Sequence, residues 1–151
     1  MMRRDVDNNC ALIVLYDLHR RYLLQLRSND APRLPGYWGF FGGGINISET
    51  PLQAVCREAL EELRYELVHP TLFFQQPFEL SVDQQRVQST VERGYMWAFT
   101  EILAGLKTSI QPSEGADYLW ATSIEIKKLK MLDHDRNVIS ALDNYLDKSS
   151  M

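Results

Sequence analysis

"GYWGFFGGGINISETPLQAVCREALEEL", residues 36–63, runs a glycine triplet into a stretch that carries Arg57 and three glutamates, Glu58, Glu61 and Glu62. From Pro51 onward Leu52, Val55, Cys56, Ala59 and Leu63 recur at i, i+3, i+4 spacing, which predicts a helix with one apolar stripe. Ser48 is the expected cap of that helix, with Pro51 in its first turn. At about 100° per residue the three glutamates span only about 100° of the circumference, roughly opposite the stripe. Like charges at i, i+3 and i, i+4 destabilise a helix by roughly 0.2–0.5 kcal/mol per pair. The triad therefore needs either free solvation, the ordinary fate of an acidic surface helix, or a compensating cation. Hard divalent ions, Mg²⁺ above all, take oxygen ligands and share them with substrate phosphates.

The rest of the chain bounds what such a site can serve. At 151 residues, 45% hydrophobic and 24% charged, it has the size and composition of one globular domain, 1–151. The longest apolar run, "ALIVLY" at 11–16, is far short of the roughly 20 residues of a membrane-spanning helix. The opening "MMRRDVDNNC" has no apolar segment of signal-peptide length, so a cytoplasmic protein with no membrane partner is expected. Two cysteines, Cys10 and Cys56, have no paired ligand spacing and read as reduced packing residues. A net charge of -4 argues against a nucleic acid polymer as partner, because that binding rests on clustered Lys and Arg. A small anionic ligand held through a local cation is compatible with it.

Working outward from the glycines, "CALIVLYD" (10–17) and "YLLQLRS" (22–28) read as a strand pair, and the proline-bearing "NDAPRLPGYWG" that follows reads as a loop. Beyond the helix, "ELVHPTLFFQQPFELSV", "VERGYMWAFTEIL" and "DYLWAT" are strand-like in aromatic and β-branched content. Tyr95, Trp97 and Phe99 alternate with period two and share one face. Two short helices are expected near 123–131 and 134–147. The order strands, helix, strands, helices predicts an α/β protein with a mixed β-sheet sandwiched between α-helices.

Gly43 precedes Glu49 by six residues, Glu49 precedes Arg57 by eight, and Arg57 leads directly into Glu58, Glu61 and Glu62. This pattern over Gly43 to Tyr65 resembles the Nudix box of the MutT-like Nudix hydrolases, G-x5-E-x7-R-E-U-x-E-E-x-G-U, with U a bulky aliphatic residue. Two positions depart: Ala59 stands where a larger aliphatic is usual, and Arg64 replaces the second glycine. A glycine there lets the chain leave the helix in a left-handed conformation, so Arg64 predicts a helix that runs on through "RYEL". Upstream, "YLLQLRSNDAPRLPGYWGFFGGG" resembles the strand and loop that lead into the box, with Phe41 at a position where proline is frequent. "SEGADYLWATSIEIKKL" and "LDHDRNVISAL" resemble the family's late strand and final helices. The resemblance covers roughly residues 10–145 and implies the Nudix fold.

The resemblance implies a hydrolase that cleaves a diphosphate linkage in a nucleoside diphosphate joined to another group. It implies Mg²⁺, or Mn²⁺ in its place, on Glu58, Glu61 and Glu62 with the backbone carbonyl of Gly42. Arg57 is expected to orient Glu49 through a bidentate guanidinium–carboxylate contact. For the general base the choice lies between a box glutamate and a distant carboxylate. Glu114 in "QPSEGAD" is the favoured distant candidate, with Glu92 and Glu101 as alternatives. Arg27 is a candidate phosphate clamp, with a rim charge as the plainer reading. Tyr37, Trp38 and Phe40 are candidates for stacking on a base, with core packing as the plainer reading. His19, His69 and His134 receive no catalytic role.

Subfamily signatures do not name the substrate. "FFQQPFELS" shares only Gln76, Pro77 and Phe78 with the array of NADH pyrophosphatases, and "LLQLRSNDAPRLPGYWGFFGG" only approaches that of coenzyme A pyrophosphatases. Beside the hydrolase stand two alternatives: a Nudix-fold module that binds a nucleotide for regulation without turning it over, and an RNA-cap hydrolase, which the acidic composition disfavours. The resemblance raises the expectation of a homodimer.

Overall fold

A computed structural model describes residues 8–28, 35–81, 91–103, 105–112 and 117–149. Seven strands, β1 (Cys10–Tyr16), β2 (Tyr22–Leu26), β3 (Trp38–Gly39), β4 (Phe41–Gly44), β5 (Thr71–Ser81), β6 (Val91–Ile102) and β7 (Tyr118–Ala121), form a mixed sheet. Its path is β3-β2-β1-β6-β5, with β4 on β1 and β7 on β2. Every pairing is antiparallel except β1 with β6, in register from Cys10↔Met96 to Tyr16↔Ile102. Helices α1 (Pro51–Leu63), α2 (Ser123–Ile126) and α3 (Asp133–Ser149) complete the fold.

The strand alternation sorts side chains onto two faces. Ala11, Ile13 and Leu15 of β1 point to the side where α1 buries Ala54, Val55, Ala59 and Leu63. Val14 points to the other, with Met96 and Ala98, under Val138, Ile139, Leu142 and Leu146 of α3. The sheet therefore lies between α1 and the α2–α3 pair, the architecture of the Nudix fold. Tyr95 and Trp97 stack at 4.7 Å between ring centroids, and Trp97 and Phe99 belong to the α1-side core, as the alternation requires. In β5 the register slips between Leu72 and Phe74, so the neighbours Phe73 and Phe74 both pack on the α3 side.

Three details of α1 correct the expectations. The cap is Thr50, not Ser48: its hydroxyl accepts from the Gln53 amide while the Gln53 side chain takes the Thr50 amide. Ser48 instead adopts a left-handed φ of 72° in the preceding turn. The apolar stripe runs through Ala54 rather than Leu52, which is 48% exposed. The helix also stops at Leu63 and does not continue through "RYEL". Arg64 takes the left-handed conformation itself (φ 52°, ψ 36°), and its amide bonds back to Ala59 and Leu60. Burial of Leu63 and Leu67 in the α1-side core sets where the chain must turn, and that outweighs the local preference of an arginine.

Candidate active site

The glycines and the acidic helix are placed by β4. Its Gly42 lies against Leu12 of β1 with φ 139°, and a Cβ there would sit 2.2 Å from the Ala11 carbonyl oxygen. Only glycine fits that approach. At Gly43 a Cβ would come within 2.6 Å of a Glu58 carboxylate oxygen, so the missing side chain is the space Glu58 occupies. One strand thus serves as backbone partner to β1 and as floor for the helix carboxylates.

Arg57 organises those carboxylates. Its Nε and Nη2 donate to the two oxygens of Glu49 at 2.8 and 2.9 Å, in the expected bidentate contact. Nη1 donates to Glu58 at 2.9 Å and, more weakly, to Glu61 at 3.4 Å, while Nη2 also reaches the Gly44 carbonyl at 2.9 Å. Side-chain exposures of 27% for Arg57 and 14% each for Glu49 and Glu58 put this network partly out of water. The fork from Arg57, helped by the Asn46 amide, holds the Glu49 carboxyl down to about 2. The carboxylates raise the Arg57 guanidinium still further above its ordinary value, the Glu49 contact foremost.

Glu62 takes a different partner: it accepts the Gly42 amide hydrogen at 2.7 Å, tying the helix to the glycine loop. Glu61 is 60% exposed on the rim. The structure gathers Glu58, Glu61 and Glu62 beside Gly42 and Gly43, but they do not point at one spot. Among the described residues no group of three His, Cys, Asp or Glu side chains is set to hold an ion. Arg57 supplies the compensating positive charge to Glu58 and Glu61 in this arrangement, while Glu62 accepts the neutral Gly42 amide. The donor set itself, three carboxylates within two turns of one helix on a partly desolvated floor, has the hard oxygen chemistry that Mg²⁺ takes.

The remaining candidates divide. Arg27 lies beside Tyr37: its amide donates to the Tyr37 carbonyl at 3.0 Å, and its carbonyl accepts from Gly36. Tyr37 lies under the Lys130 ammonium, 4.3 Å from the ring centroid, and Trp38 donates its amide to the Lys130 carbonyl at 2.8 Å. Trp38 is partly buried against the α3-side core, and Phe40, 7% exposed, is part of it. Phe41 is core on the α1 side and pairs with Ile13, so the position where proline is frequent contributes a strand here. Glu101 is no free base. It is 6% exposed and accepts the amides of Val68 and His69, closing the turn after α1. Glu114 and the side chain of Glu92 lie outside the described residues.

Two acidic groups were not singled out in the sequence. Asp17 gathers the Lys107 ammonium at 2.8 Å, Arg21 Nε at 2.9 Å and the amides of His19 and Arg21. Burial pushes its carboxyl up, and these donors together override burial and hold it well below the usual range. Asp135, in the first turn of α3, is the other. Nothing in their local sequence separates either from an ordinary surface aspartate.

The family model described as NUDIX domain matches residues 8–142. The chain belongs to the NUDIX domain family. No curated protein matches it. Among solved structures, the MutT protein from Methanosarcina mazei Go1 is 20% identical at a TM-score of 0.75, covering 95% of this chain and 98% of that one. The NUDIX domain of Shewanella oneidensis NrtR complexed with ADP ribose is 17% identical at 0.72, covering 93% and 89%. A C. elegans Ap4A hydrolase binary complex is 17% identical at 0.70, covering 93% and 98%. At these identities the likeness is one of fold, and it agrees with the Nudix architecture of the sheet. No helix among the described residues is long and apolar enough to cross a membrane.

Proposed function

We propose that this chain is a Mg²⁺-dependent pyrophosphohydrolase that cleaves the diphosphate linkage of a small nucleoside diphosphate derivative. That it is a hydrolase of pyrophosphate bonds follows from the family it belongs to; the metal and the substrate class are the proposal. The observation that carries it is the Arg57 network, which holds Glu49, Glu58 and Glu61 around one guanidinium while Glu62 is docked on Gly42. Glu58, Glu61, Glu62 and the Gly42 carbonyl would hold the ion, or Mn²⁺ in its place. A divalent ion held there would neutralise phosphate oxygens and lower the pKa of an attacking water.

The chain's own residues supply the rest. Arg57 restrains the box carboxylates, which limits the rearrangement needed to bring them onto one ion. Arg27, exposed just after β2 with Tyr37 beside it, is retained as the phosphate clamp, and Tyr37 and Trp38 as candidates for stacking on the base. Glu114 is retained as the distant base. The ADP ribose complexed with the NrtR domain, and the Ap4A in the name of the hydrolase, support a small-molecule substrate.

A second reading, a nucleotide-holding regulatory module without turnover, draws on the likeness to the NrtR domain. The complete carboxylate set favours the hydrolase. Incubation with Mg²⁺ and nucleoside triphosphates, nucleotide sugars, ADP-ribose, NADH, coenzyme A and capped RNA, with products resolved chromatographically, tests the choice. Cleavage of one class at its diphosphate supports the hydrolase. Silence across the panel with nucleotide binding retained by calorimetry supports the module.

A further inference from the structure

Two of the three carboxylates proposed for the ion, Glu61 and Glu62, sit in the last turn of α1. The front of that helix is fixed by its capping box and by the Arg57 fork. The last turn carries no basic residue, and Arg64 beyond it takes the left-handed conformation that favours glycine. A second segment meets the helix there. The Leu63 carbonyl, one residue beyond Glu62, accepts the Gln111 amide at 2.8 Å, which satisfies a group the helix itself leaves open. Ile110, beside Gln111, is 5% exposed and packs in the same core as Leu63 and Leu67.

That segment leads back to one ammonium group. Lys107–Ser109 form a single 3₁₀ turn, in which the Ile110 amide donates to the Lys107 carbonyl and the Ser109 amide to that of Leu106. Gly105 through Ser109 are exposed, so burial does little to fix the turn. The Lys107 side chain does fix it. Its Nζ lies 2.8 Å from Asp17 Oδ2 and 4.6 Å from the centroid of the Trp120 ring. Both partners are anchored in the sheet. Asp17, 7% exposed, follows β1 and accepts the His19 and Arg21 amides at 2.9 Å, and Trp120 of β7 is paired with Leu23 of β2. An unbroken path thus runs from the β1–β2 turn through Lys107 and Gln111 to the residue that follows Glu62.

We propose that Lys107 is a positioning residue for the metal site, bracing the last turn of α1 so that Glu61 and Glu62 close on one divalent ion. The inference rests on the reading of those carboxylates as the ion's ligands. Glu58, Glu61 and Glu62 do not point at one spot, so binding requires the last turn to settle in one place. Whatever freedom that turn keeps beforehand is lost when the ion binds, which weakens binding. Lys107 acts through the bond from Gln111 to Leu63 and not by contact with the ion. Arg21 supplies the contrast: its Nε reaches the same Asp17 oxygen at 2.9 Å but stays within the β1–β2 turn. Both cations neutralise Asp17, and only Lys107 carries the strut.

Calorimetric titration with Mn²⁺, in the absence of substrate, tests this on the wild type, Lys107→Met, Lys107→Arg and Arg21→Gln. Lys107→Met should bind the ion about fivefold or more weakly than wild type, the scale of groups that act on a site through others. Lys107→Arg, which keeps the cation, and Arg21→Gln, which keeps the strut, should each stay within about twofold of wild type. Unchanged affinity in Lys107→Met would overturn the proposal. An equal loss in Arg21→Gln would do so too, by assigning the effect to the charge of Asp17, and so would a loss that Lys107→Arg fails to rescue. If Lys107→Met does not fold, hydrogen exchange of the wild type decides. Coupling between the ion and the strut is reciprocal, so saturating Mg²⁺ should slow exchange of the Gln111 amide about fivefold or more, and an unchanged rate overturns the proposal. Mn²⁺ binding lost in Glu62→Gln but kept in Lys107→Met sinks the role of Lys107 alone. A wild type that binds no Mn²⁺ overturns the metal reading and the positioning role with it.

Discussion

Arg57 grips both carboxylate oxygens of Glu49 across eight residues, from the helix to the turn before its cap, through Nε and Nη2, while Nη1 reaches Glu58 and Nη2 also reaches the Gly44 carbonyl. The guanidinium is thus a clamp between loop and helix whose value lies in its planar fork. Arg57→Lys keeps the charge and loses the fork. Activity should fall about 10- to 100-fold, the usual cost of disturbing a group that orients ligands, with a much smaller effect on Tm. Steady-state kinetics beside thermal melts would show it.

Gly42 and Gly43 should respond differently to the same added methyl. At Gly42 the Cβ meets backbone of β1 and the φ of 139° is closed to alanine, so Gly42→Ala should cost about 3 kcal/mol or more of stability. At Gly43 the obstacle is the movable Glu58 carboxylate. Gly43→Ala should fold and lose activity as Glu58 is pushed off Arg57. Urea unfolding and turnover of the two variants separate these outcomes.

Arg64 carries a left-handed conformation that a glycine takes at no steric cost. Arg64→Gly should raise stability by about 0.5–1 kcal/mol, roughly 2–4 °C in Tm, and leave turnover unchanged. Differential scanning calorimetry measures the shift.

Asp17 links the β1–β2 turn to Lys107, and its folded carboxyl titrates below the ordinary value of 3.8. A depressed carboxylate stabilises the fold above the unfolded value, and that contribution fades as pH falls toward the folded value. Asp17→Asn should therefore be about 1–3 kcal/mol less stable than wild type at pH 7. The gap should narrow as pH drops below about 4, read from urea midpoints at successive pH values.

The sequence made legible whatever depends on local spacing. The α1 helix that carries Arg57 and the three glutamates, its apolar stripe apart from Leu52, and the alternation of Tyr95, Trp97 and Phe99 follow the sequence. Features set by distant contacts were hidden. The cap passed from Ser48 to Thr50 because Ser48 is consumed by the turn, and Arg64 ends the helix because Leu63 and Leu67 must both be buried. Glu101 could not be told from a base by sequence, since the amides it accepts lie 32 and 33 residues upstream. The parallel pairing of β1 with β6 joins segments more than 80 residues apart, and no periodicity records it. Asp135 becomes distinctive only once β3 and α3 are brought together.

The most direct test is Mg²⁺-dependent turnover of the best substrate from the nucleotide panel by Glu61→Gln and Glu62→Gln beside wild type. If these carboxylates hold the ion, each variant loses two or more orders of magnitude at unchanged fold. Turnover within a factor of two of wild type in both would contradict the metal site.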